Sequence, residues 1–421
     1  MQKIILHFLL LFAFVSQLHA QCDGRYTTAT FTASKKADIL YGGNYDNNGK
    51  WTDLVLDVYE PAEDTASLRP LIIFVHGGSF VGGSRTDQRI DLTARHFAEK
   101  GYVTANIEYR VEQTVAISPF LNFASPDNWY KAIIRASHDL RAAIRYFKKD
   151  AATNGNMYKV DTNRILIYGS SAGAITALNT VFINDTTEMS YYFKRNIPLM
   201  GGLEGNSGNP GYNSNSGIRA IVSCSGAFDN INYLNDNRDI AYLAFHNNPD
   251  LTVPYEMGCF VTVACFLGTF YGPQKIFPKA KSLGMKTEFY PFQYYGHPVD
   301  AHADTTAKKL ILEKTTAFLA DVVCRTGTVT AIAPRVSTET LNLFPNPSNG
   351  RFTIELPKGQ QWQDATLQII SLTGAEVYRT HISASQTLDV QEILSNGTYL
   401  VKLIPTDDSS LQYIGKISIL K

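Results

Sequence analysis

The sequence has no excess of charge of either sign, because lysine and arginine together number 38 and aspartate and glutamate also number 38. No long run of one sign interrupts this balance, so the chain lacks the basic tract that would suggest a polyanion-binding arm. It also contains no Cys-x-x-Cys or His-Glu-x-x-His motif, no phosphate-binding loop and no dinucleotide fingerprint. The sequence therefore predicts no nucleic-acid partner, no metal and no cofactor.

Long hydrophobic runs are also missing, apart from one short stretch at the N-terminus. A charged start, the largely apolar run Ile4–Val15 and a small-residue site ending at Ala20 form the pattern of a signal peptide over residues 1–20. This run is shorter than the roughly 20 residues needed to span a bilayer, which argues against stable membrane insertion. A lipoprotein anchored at Cys22 is a further alternative, but Gln21 is a poor lipobox residue. We therefore predict export with cleavage after Ala20.

Cysteine is scarce, with five residues in the chain. In an exported protein this odd number leaves at least one cysteine unpaired or intermolecular. Cys22 and Cys324 bracket the larger predicted domain, so a bridge between them would clamp its two ends, and Cys259 and Cys265 are close enough to staple a loop. Cys224 is predicted to be a small buried residue. The connectivity itself does not follow from the sequence.

What the chain does contain, over residues 21–326, is an alternation of apolar strands and amphipathic helices. Strands are predicted at 54–59, 70–75, 102–109, around 165, 218–224, 241–245 and 286–292, and helices at 87–100, 128–149, 172–183, 273–283 and 303–323. This alternation predicts an α/β fold with a doubly wound, mainly parallel sheet that is covered on both faces. Ligands of such sheets bind beyond the carboxyl ends of the strands.

Two long segments, residues 111–129 and 188–217, interrupt the alternation. Loops of this length often form lids or binding surfaces, so we interpret both as candidate substrate-covering segments, with mobile surface as the alternative. After Cys324 a linker is predicted over residues 327–340. Residues 341–421 carry short alternating segments separated by Gly, Asn and Asp turns, which predicts a small all-β sandwich.

The pentapeptide from Gly169 to Gly173 lies between an Ile- and Leu-rich strand and a run of helix formers. In a Gly-x-Ser-x-Gly elbow the small flanking residues tolerate a strained turn, which lifts the serine hydroxyl off the sheet edge at the start of a helix. An ordinary strand-to-helix turn is the alternative, but the flanking strand and helix are the context that the elbow requires. Ser171 is therefore the predicted nucleophile.

A serine hydroxyl needs a base to take its proton, and that base needs an orienting acid. In folds with this elbow the order along the chain is Ser, then Asp or Glu, then His. His297, in the loop after the last strand, is the predicted base, and His302 is the alternate. Asp250 follows the penultimate strand and is the predicted acid, with Asp229 as the alternate. A turn-forming role is the other interpretation of either aspartate.

The segment from His76 to Phe80 follows a buried strand and contains Gly77 and Gly78. Glycines let the backbone approach a substrate closely, and their N–H groups can stabilise the oxyanion that develops during acyl transfer. The N–H of Ala172, directly after the predicted nucleophile, would complete the oxyanion hole. A plain Gly-rich turn is the alternative interpretation of this segment.

Taken in order, these landmarks resemble those of α/β-hydrolase carboxylesterases near the hormone-sensitive-lipase-like group, over about residues 26–324. The segments that carry the resemblance are Leu54 to Tyr59, His76-Gly-Gly-Ser-Phe80, Ala105-Asn-Ile-Glu-Tyr-Arg110, Asp161 to Gly173 and Asp250-Leu-Thr-Val-Pro-Tyr255. The resemblance implies that Ser171, Asp250 and His297 are the catalytic residues. It also implies that the oxyanion donors are Gly77, Gly78 and Ala172. Ser79 departs from the group, where a third glycine is frequent, which leaves the accepted alcohols open.

The tail contains Phe344-Pro-Asn-Pro-Ser-Asn-Gly350 and Asn396-Gly-Thr-Tyr-Leu-Val401. Both segments resemble the type A sorting domain of type IX secretion in Gram-negative bacteria. The resemblance implies the type IX secretion machinery as a partner and delivery to the cell surface or medium, with removal of the tail. A glycan-binding module is the alternative.

Together these features predict a secreted serine carboxylic-ester hydrolase that forms an acyl-enzyme. Its expected substrate is an extracellular acyl or aryl ester, linked to polysaccharide, lipid or polyester. A serine peptidase of the same fold and a catalytically inactive surface binding protein are the alternatives.

Overall fold

The computed structural model describes residues 22, 24–112, 125–184, 189–235, 239–262, 264–294, 296–300, 305–324, 337–355, 364–371, 376–383, 386–405 and 411–421. The predicted signal peptide, the alternate base His302, most of the predicted linker and much of the 111–129 segment lie outside these residues. The chain divides into two compact units, Met1–Gly327 and Thr328–Lys421, and each is described by itself.

In the described part of the first unit, eight strands form one sheet in the order β1-β2-β4-β3-β5-β6-β7-β10. These strands are β1 (Ala33–Tyr45), β2 (Trp51–Pro61), β3 (Arg69–Val75), β4 (Val103–Ile107), β5 (Val160–Ser170), β6 (Ile218–Cys224), β7 (Ala241–Asn248) and β10 (Thr287–Gln293). β1 and β2 pair antiparallel, and the six strands from β4 to β10 across the sheet run parallel. Two short strands, β8 (Met257–Gly258) and β9 (Phe270–Tyr271), pair separately.

Helices cover both faces of this sheet. The described helices are α1 (Gln88–Ala98), α2 (Pro126–Thr153), α3 (Ala172–Phe182), α4 (Tyr191–Asn196), α5 (Pro273–Ser282) and α6 (Thr305–Cys324). Because side chains alternate along a strand, Ile73 of β3 packs in the core with α2, α3 and α5, whereas Phe74 packs in the opposite core with α1 and α6. This doubly wound, mainly parallel sheet confirms the predicted α/β-hydrolase fold.

The parallel strands bring distant parts of the chain to one edge of the sheet. β3 ends at Val75, β5 at Ser170, β7 at Asn248 and β10 at Gln293, and these carboxyl ends share an edge because the strands run in the same direction. The loops that follow them carry the predicted oxyanion segment, nucleophile, acid and base.

Two disulfides are present, Cys22–Cys324 and Cys259–Cys265. The first joins residues 302 positions apart, and the second closes a short loop between β8 and β9. Cys224 is free and buried at the end of β6, in accordance with its predicted packing role. Its burial raises the pKa of the thiol above the ordinary value.

The second unit is a small β structure with two sheets, ordered β11-β18-β17-β14-β15 and β12-β13-β16. Its strands are β11 (Ser337–Thr340), β12 (Asn342–Phe344), β13 (Arg351–Glu355), β14 (Ala365–Ser371), β15 (Glu376–Ile382), β16 (Gln386–Asp389), β17 (Gly397–Pro405) and β18 (Leu411–Ile419). Alternating residues from both sheets, among them Phe352, Leu367 and Val401, form one core. This agrees with the predicted all-β sandwich, although β11 already begins within the predicted linker.

Within the residues that the structure describes, none of the helices combines the length and the apolar composition needed to cross a bilayer.

Candidate active site

Ser171 stands at the sharp turn between β5 and α3. Its φ of 53° lies in the left-handed region, where a residue with a side chain is strained. The close packing of this turn against β3 requires glycine at position 173. A Cβ there would come within 2.1 Å of the carbonyl oxygen of Val75. The Ser171 N–H donates to the carbonyl oxygen of Cys224 at 2.8 Å, which fixes the turn against β6.

The structure brings Ser171, His297 and Asp250 into one hydrogen-bonded chain. Oγ of Ser171 lies 2.8 Å from Nε2 of His297, and Nδ1 of His297 lies 2.8 Å from Oδ2 of Asp250. Because an ionised carboxylate only accepts hydrogen bonds, Nδ1 of the neutral imidazole carries its proton. Nε2 is therefore the acceptor for the serine hydroxyl, which is the geometry that a general base requires.

Asp250 is buried, yet its carboxylate is well supplied with donors. Oδ1 accepts from the backbone N–H groups of Thr252 at 2.8 Å and Val253 at 3.0 Å. Burial by itself would raise the pKa of Asp250, but hydrogen bonds from His246 and His297 hold it well below the usual value. The carboxylate thus remains ionised beside the imidazole of His297.

The Gly77-Gly78 segment passes directly over the serine. A Cβ on Gly77 would lie 3.3 Å from Cβ of Ser171, and Gly78 adopts a φ of 122° in a turn where a Cβ would meet Gly82 oxygen at 2.1 Å. His76 holds this turn, since its Nδ1 lies 2.7 Å from the carbonyl oxygen of Gly77. Backbone of this kind can point N–H groups at an oxyanion, together with the N–H at the start of α3.

On one side Ser171 faces an apolar pocket of about 370 Å³. Its aromatic and aliphatic lining includes Phe80, Trp129, Ile175, Phe260, Val261 and Leu267. The Cys259–Cys265 disulfide closes the loop that supplies Phe260 and Val261, and the rings of Phe260 and Trp129 pack at 4.7 Å between centroids. Sequence reasoning missed this wall, although the close spacing of Cys259 and Cys265 marked the loop.

On the other side Ser171 faces a polar cavity of about 400 Å³. Its lining includes Gly77, Asp87, Arg89, Ser170, His297 and Asp300. Asp87 caps the first turn of α1 by accepting from the Arg89 N–H at 2.9 Å, so the beginning of this helix forms one wall. The sequence carried no pattern that set Asp87, Arg89 or Asp300 apart.

The expectation that residues 188–217 cover the substrate is wrong for their described part, because this segment lines neither cavity at Ser171. It is held instead by arginines of α2. Arg145 binds the carboxylate of Glu204 at 2.7 Å, and Arg141 approaches the same group at 3.4 Å. Of the 111–129 segment, Trp129 lines the apolar pocket.

The alternate acid Asp229 is not the carboxylate that meets His297, because Nδ1 of His297 contacts Asp250 instead. The carboxylate oxygens of Asp229 are buried near Tyr130 and Tyr233, and this burial raises the pKa of Asp229 above the ordinary value. Among the described residues, no group of three or more His, Cys, Asp and Glu side chains is arranged to hold a metal ion.

Comparison with protein families gives two matches. Residues 56–250 match the BD-FAE family, and residues 342–419 match the secretion system C-terminal sorting domain. The first match includes Ser171 and Asp250 and ends before His297. The second identifies the β unit as a sorting domain and confirms the predicted delivery to the cell surface or medium.

Individual curated relatives match part of the chain. Carboxylesterase 3B of Mus musculus is 31% identical over 29% of this chain and 19% of its own length. The non-reducing polyketide synthase mapC of Penicillium brevicompactum is 28% identical over 39% of this chain and 6% of its own length. The chain therefore spans less than a fifth of the length of either relative.

Among solved structures, esterase 2 of Thermogutta terrifontis, phosphorylated by paraoxon, superposes with a TM-score of 0.48 at 20% identity. The superposition covers 72% of this chain and 99% of that one. With the two family matches and the carboxylesterase relative, the resemblances predicted from the sequence are confirmed.

Proposed function

We propose that this chain is a secreted serine carboxylic-ester hydrolase with Ser171 as nucleophile, His297 as base and Asp250 as orienting acid. The observation that carries the proposal is the continuous hydrogen-bonded chain from Asp250 through His297 to Ser171. A serine that serves only as a turn residue has no need of a buried carboxylate and an imidazole aligned behind its hydroxyl.

In the proposed reaction Oγ of Ser171 attacks the ester carbonyl carbon while Nε2 of His297 takes the hydroxyl proton. The carbonyl oxygen becomes an oxyanion, which the N–H groups of the Gly77-Gly78 segment and of Ala172 stabilise. Collapse of this intermediate breaks the bond to the alcohol oxygen, which receives the proton from His297. Water then attacks the acyl carbon while His297 takes a proton from it. The second intermediate collapses, Oγ of Ser171 leaves and receives this proton from His297, and the carboxylic acid is released.

The surroundings of Ser171 support a substrate whose acyl group is uncharged and apolar. The apolar pocket beside the hydroxyl is lined by aromatic and aliphatic side chains and suits a hydrocarbon group. The similarity to Carboxylesterase 3B favours the same reaction class. Because the sorting domain directs the chain out of the cell, we infer that the ester is extracellular.

Replacing the nucleophile tests this proposal. Ser171→Ala should lower turnover of a p-nitrophenyl ester at least about 1,000-fold, because the covalent step is lost. Ser282→Ala is the control, since it removes a serine hydroxyl at the end of α5, outside both cavities, and should retain the activity. Undiminished turnover by Ser171→Ala would end the idea. Cleavage of peptides but not of esters would favour a peptidase, and failure of a fluorophosphonate to label the wild type would favour an inactive binding protein.

We further propose that the sorting domain is removed after passage through the type IX secretion machinery. In a host with that machinery, mass spectrometry of the secreted form should find the first unit without residues 341–421. A secreted form with an intact tail bound to polysaccharide would contradict this and support the glycan-binding alternative.

A further inference from the structure

Two cavities of opposite character meet at Ser171. The apolar pocket and the polar cavity both include Ser79 and Ser171 in their walls, so a substrate attached at the serine can extend into both. His297 lines the polar cavity and does not line the apolar pocket. The proposed base therefore lies on the side of the polar cavity.

This asymmetry orients an ester, if the proposed function holds. His297 must pass its proton to the departing alcohol oxygen, so that oxygen has to lie on the side where Nε2 is accessible. The alcohol half then extends into the polar cavity, and the acyl half occupies the apolar pocket between Phe80, Ile175 and Phe260.

The polar cavity offers both donors and acceptors to an alcohol. The guanidinium of Arg89, whose side chain is 42% exposed, has its Nε 3.2 Å from Oδ1 of Asp87 and its Nη1 3.6 Å from Oδ2 of Asp300. Ser170 donates to the same oxygen of Asp300 at 3.2 Å. Two carboxylates around one guanidinium disfavour an anionic guest, whereas hydroxyl groups can accept from the arginine and donate to the carboxylates.

We propose that the polar cavity is the binding site for the alcohol half of the ester, and that this alcohol is neutral and carries several hydroxyl groups. Arg89 is the specificity-determining residue of this site. The inference rests on the proposed esterase function and goes beyond it by assigning each half of the substrate to one cavity.

Three esters that share a butyryl group test the site: glucose 6-butyrate, ethyl butyrate and butyryl glycolate. The wild type should prefer the glucose ester over the ethyl ester by about 10-fold or more in kcat/KM and should disfavour the anionic glycolate ester. Arg89→Met keeps the length of the side chain and removes its donors. It should lower kcat/KM for the glucose ester about 10-fold and leave the ethyl ester within about twofold. Arg95→Met, on the same helix and outside the cavity, is the matched control and should change neither.

The assignment would be overturned if the wild type showed no preference for the glucose ester, or if Arg89→Met lowered kcat/KM equally for all three esters. A fourth ester, ethyl gluconate, carries its hydroxyl groups on the acyl half. A loss of kcat/KM by Arg89→Met on this ester alone would also overturn the assignment, because it would place the acyl group in the polar cavity. These failures are distinct from failure of the proposed function, because Ser171→Ala abolishes turnover of ethyl butyrate only if the serine mechanism is correct.

Discussion

Oδ2 of Asp250 contacts two histidines, since it lies 2.8 Å from Nδ1 of His297 and 3.2 Å from Nε2 of His246. His246 is fully buried near the end of β7, and the same Nε2 is 3.0 Å from the carbonyl oxygen of Val253. Both neighbours of this nitrogen are acceptors, so Nε2 carries the proton of the neutral ring. We expect His246 to position the carboxylate that faces His297.

Replacing His246 should therefore change the pH profile as well as the rate. His246→Phe keeps a ring and removes a donor from Asp250, so the carboxylate becomes more basic and stabilises protonated His297 more strongly. The acid limb of kcat/KM should move to higher pH, and kcat/KM at neutral pH should fall about 10-fold. Steady-state kinetics from pH 5 to 9 measure both effects.

The control for this prediction is His246→Gln, whose amide nitrogen can donate from a position similar to Nε2. It should restore the acid limb toward that of the wild type. An unchanged pH profile in His246→Phe, with only a loss of thermal stability, would show that the ring has a packing role alone.

The apolar pocket should set the size of the accepted acyl group. Ile175 of α3 lines the pocket next to Ser171, and Ile175→Phe would fill part of its 370 Å³. We expect kcat/KM for p-nitrophenyl cyclohexanecarboxylate to fall more than about 10-fold. The value for p-nitrophenyl acetate should stay within about threefold of that of the wild type. Equal effects on both esters would indicate that the acyl group lies elsewhere.

The two disulfides should have separable effects. Replacing Cys22 and Cys324 with serine opens a loop of sequence separation 302 and should cost up to about 5 kcal/mol of unfolding free energy. Replacing Cys259 and Cys265 opens a loop of separation 6, so it should lower the melting temperature less and reduce activity on bulky acyl esters more. Calorimetry and kinetics on both double variants compare them. Identical losses in both would contradict separate roles.

His138 should make stability sensitive to pH. Burial lowers its pKa to about 3, with further lowering by Arg141, Arg110 and Arg145, while its Nε2 donates to the carbonyl oxygen of Gly202 at 2.8 Å. In the unfolded chain the imidazole of His138 takes up a second proton near pH 6.5, whereas in the folded chain it stays neutral down to about pH 3. The free energy of unfolding therefore keeps its full value above pH 6.5 and falls by on the order of a few kcal/mol as the pH is lowered toward 3.

Urea unfolding at pH 7, 5 and 4 tests this expectation. His138→Gln keeps a donor for the carbonyl oxygen and cannot take up the proton, so its unfolding free energy should fall less steeply with decreasing pH. Parallel slopes for the variant and the wild type would refute the role of His138.

The sheet and its helices could be predicted from the sequence because burial imposes a period on them. The strand expected at 218–224 is observed as Ile218–Cys224, and the helix expected at 273–283 as Pro273–Ser282. The order of Ser171, Asp250 and His297 followed from the same topology, since parallel strands end at one edge.

The walls of the two cavities could not be predicted in this way. Phe260 and Val261 lie in a short irregular loop. The spacing of Cys259 and Cys265 indicated a staple there, but the contact of Phe260 with Trp129, which is distant in sequence, has no local pattern. Residues 188–217 were misjudged because their Gly- and Asn-rich composition hides the anchoring of Glu204 by Arg145, which is distant in sequence. Such pairings are set by tertiary structure alone.

The Cys22–Cys324 bond makes the described first unit a closed covalent ring, whose two joined Cα atoms lie 5.8 Å apart. A protease that cuts one peptide bond between these cysteines opens the ring without producing a separate fragment. The two pieces stay tethered through sulfur and can retain their native packing. Outside the cell, where proteases are common and the bond is not reduced, a single nick therefore leaves one molecule.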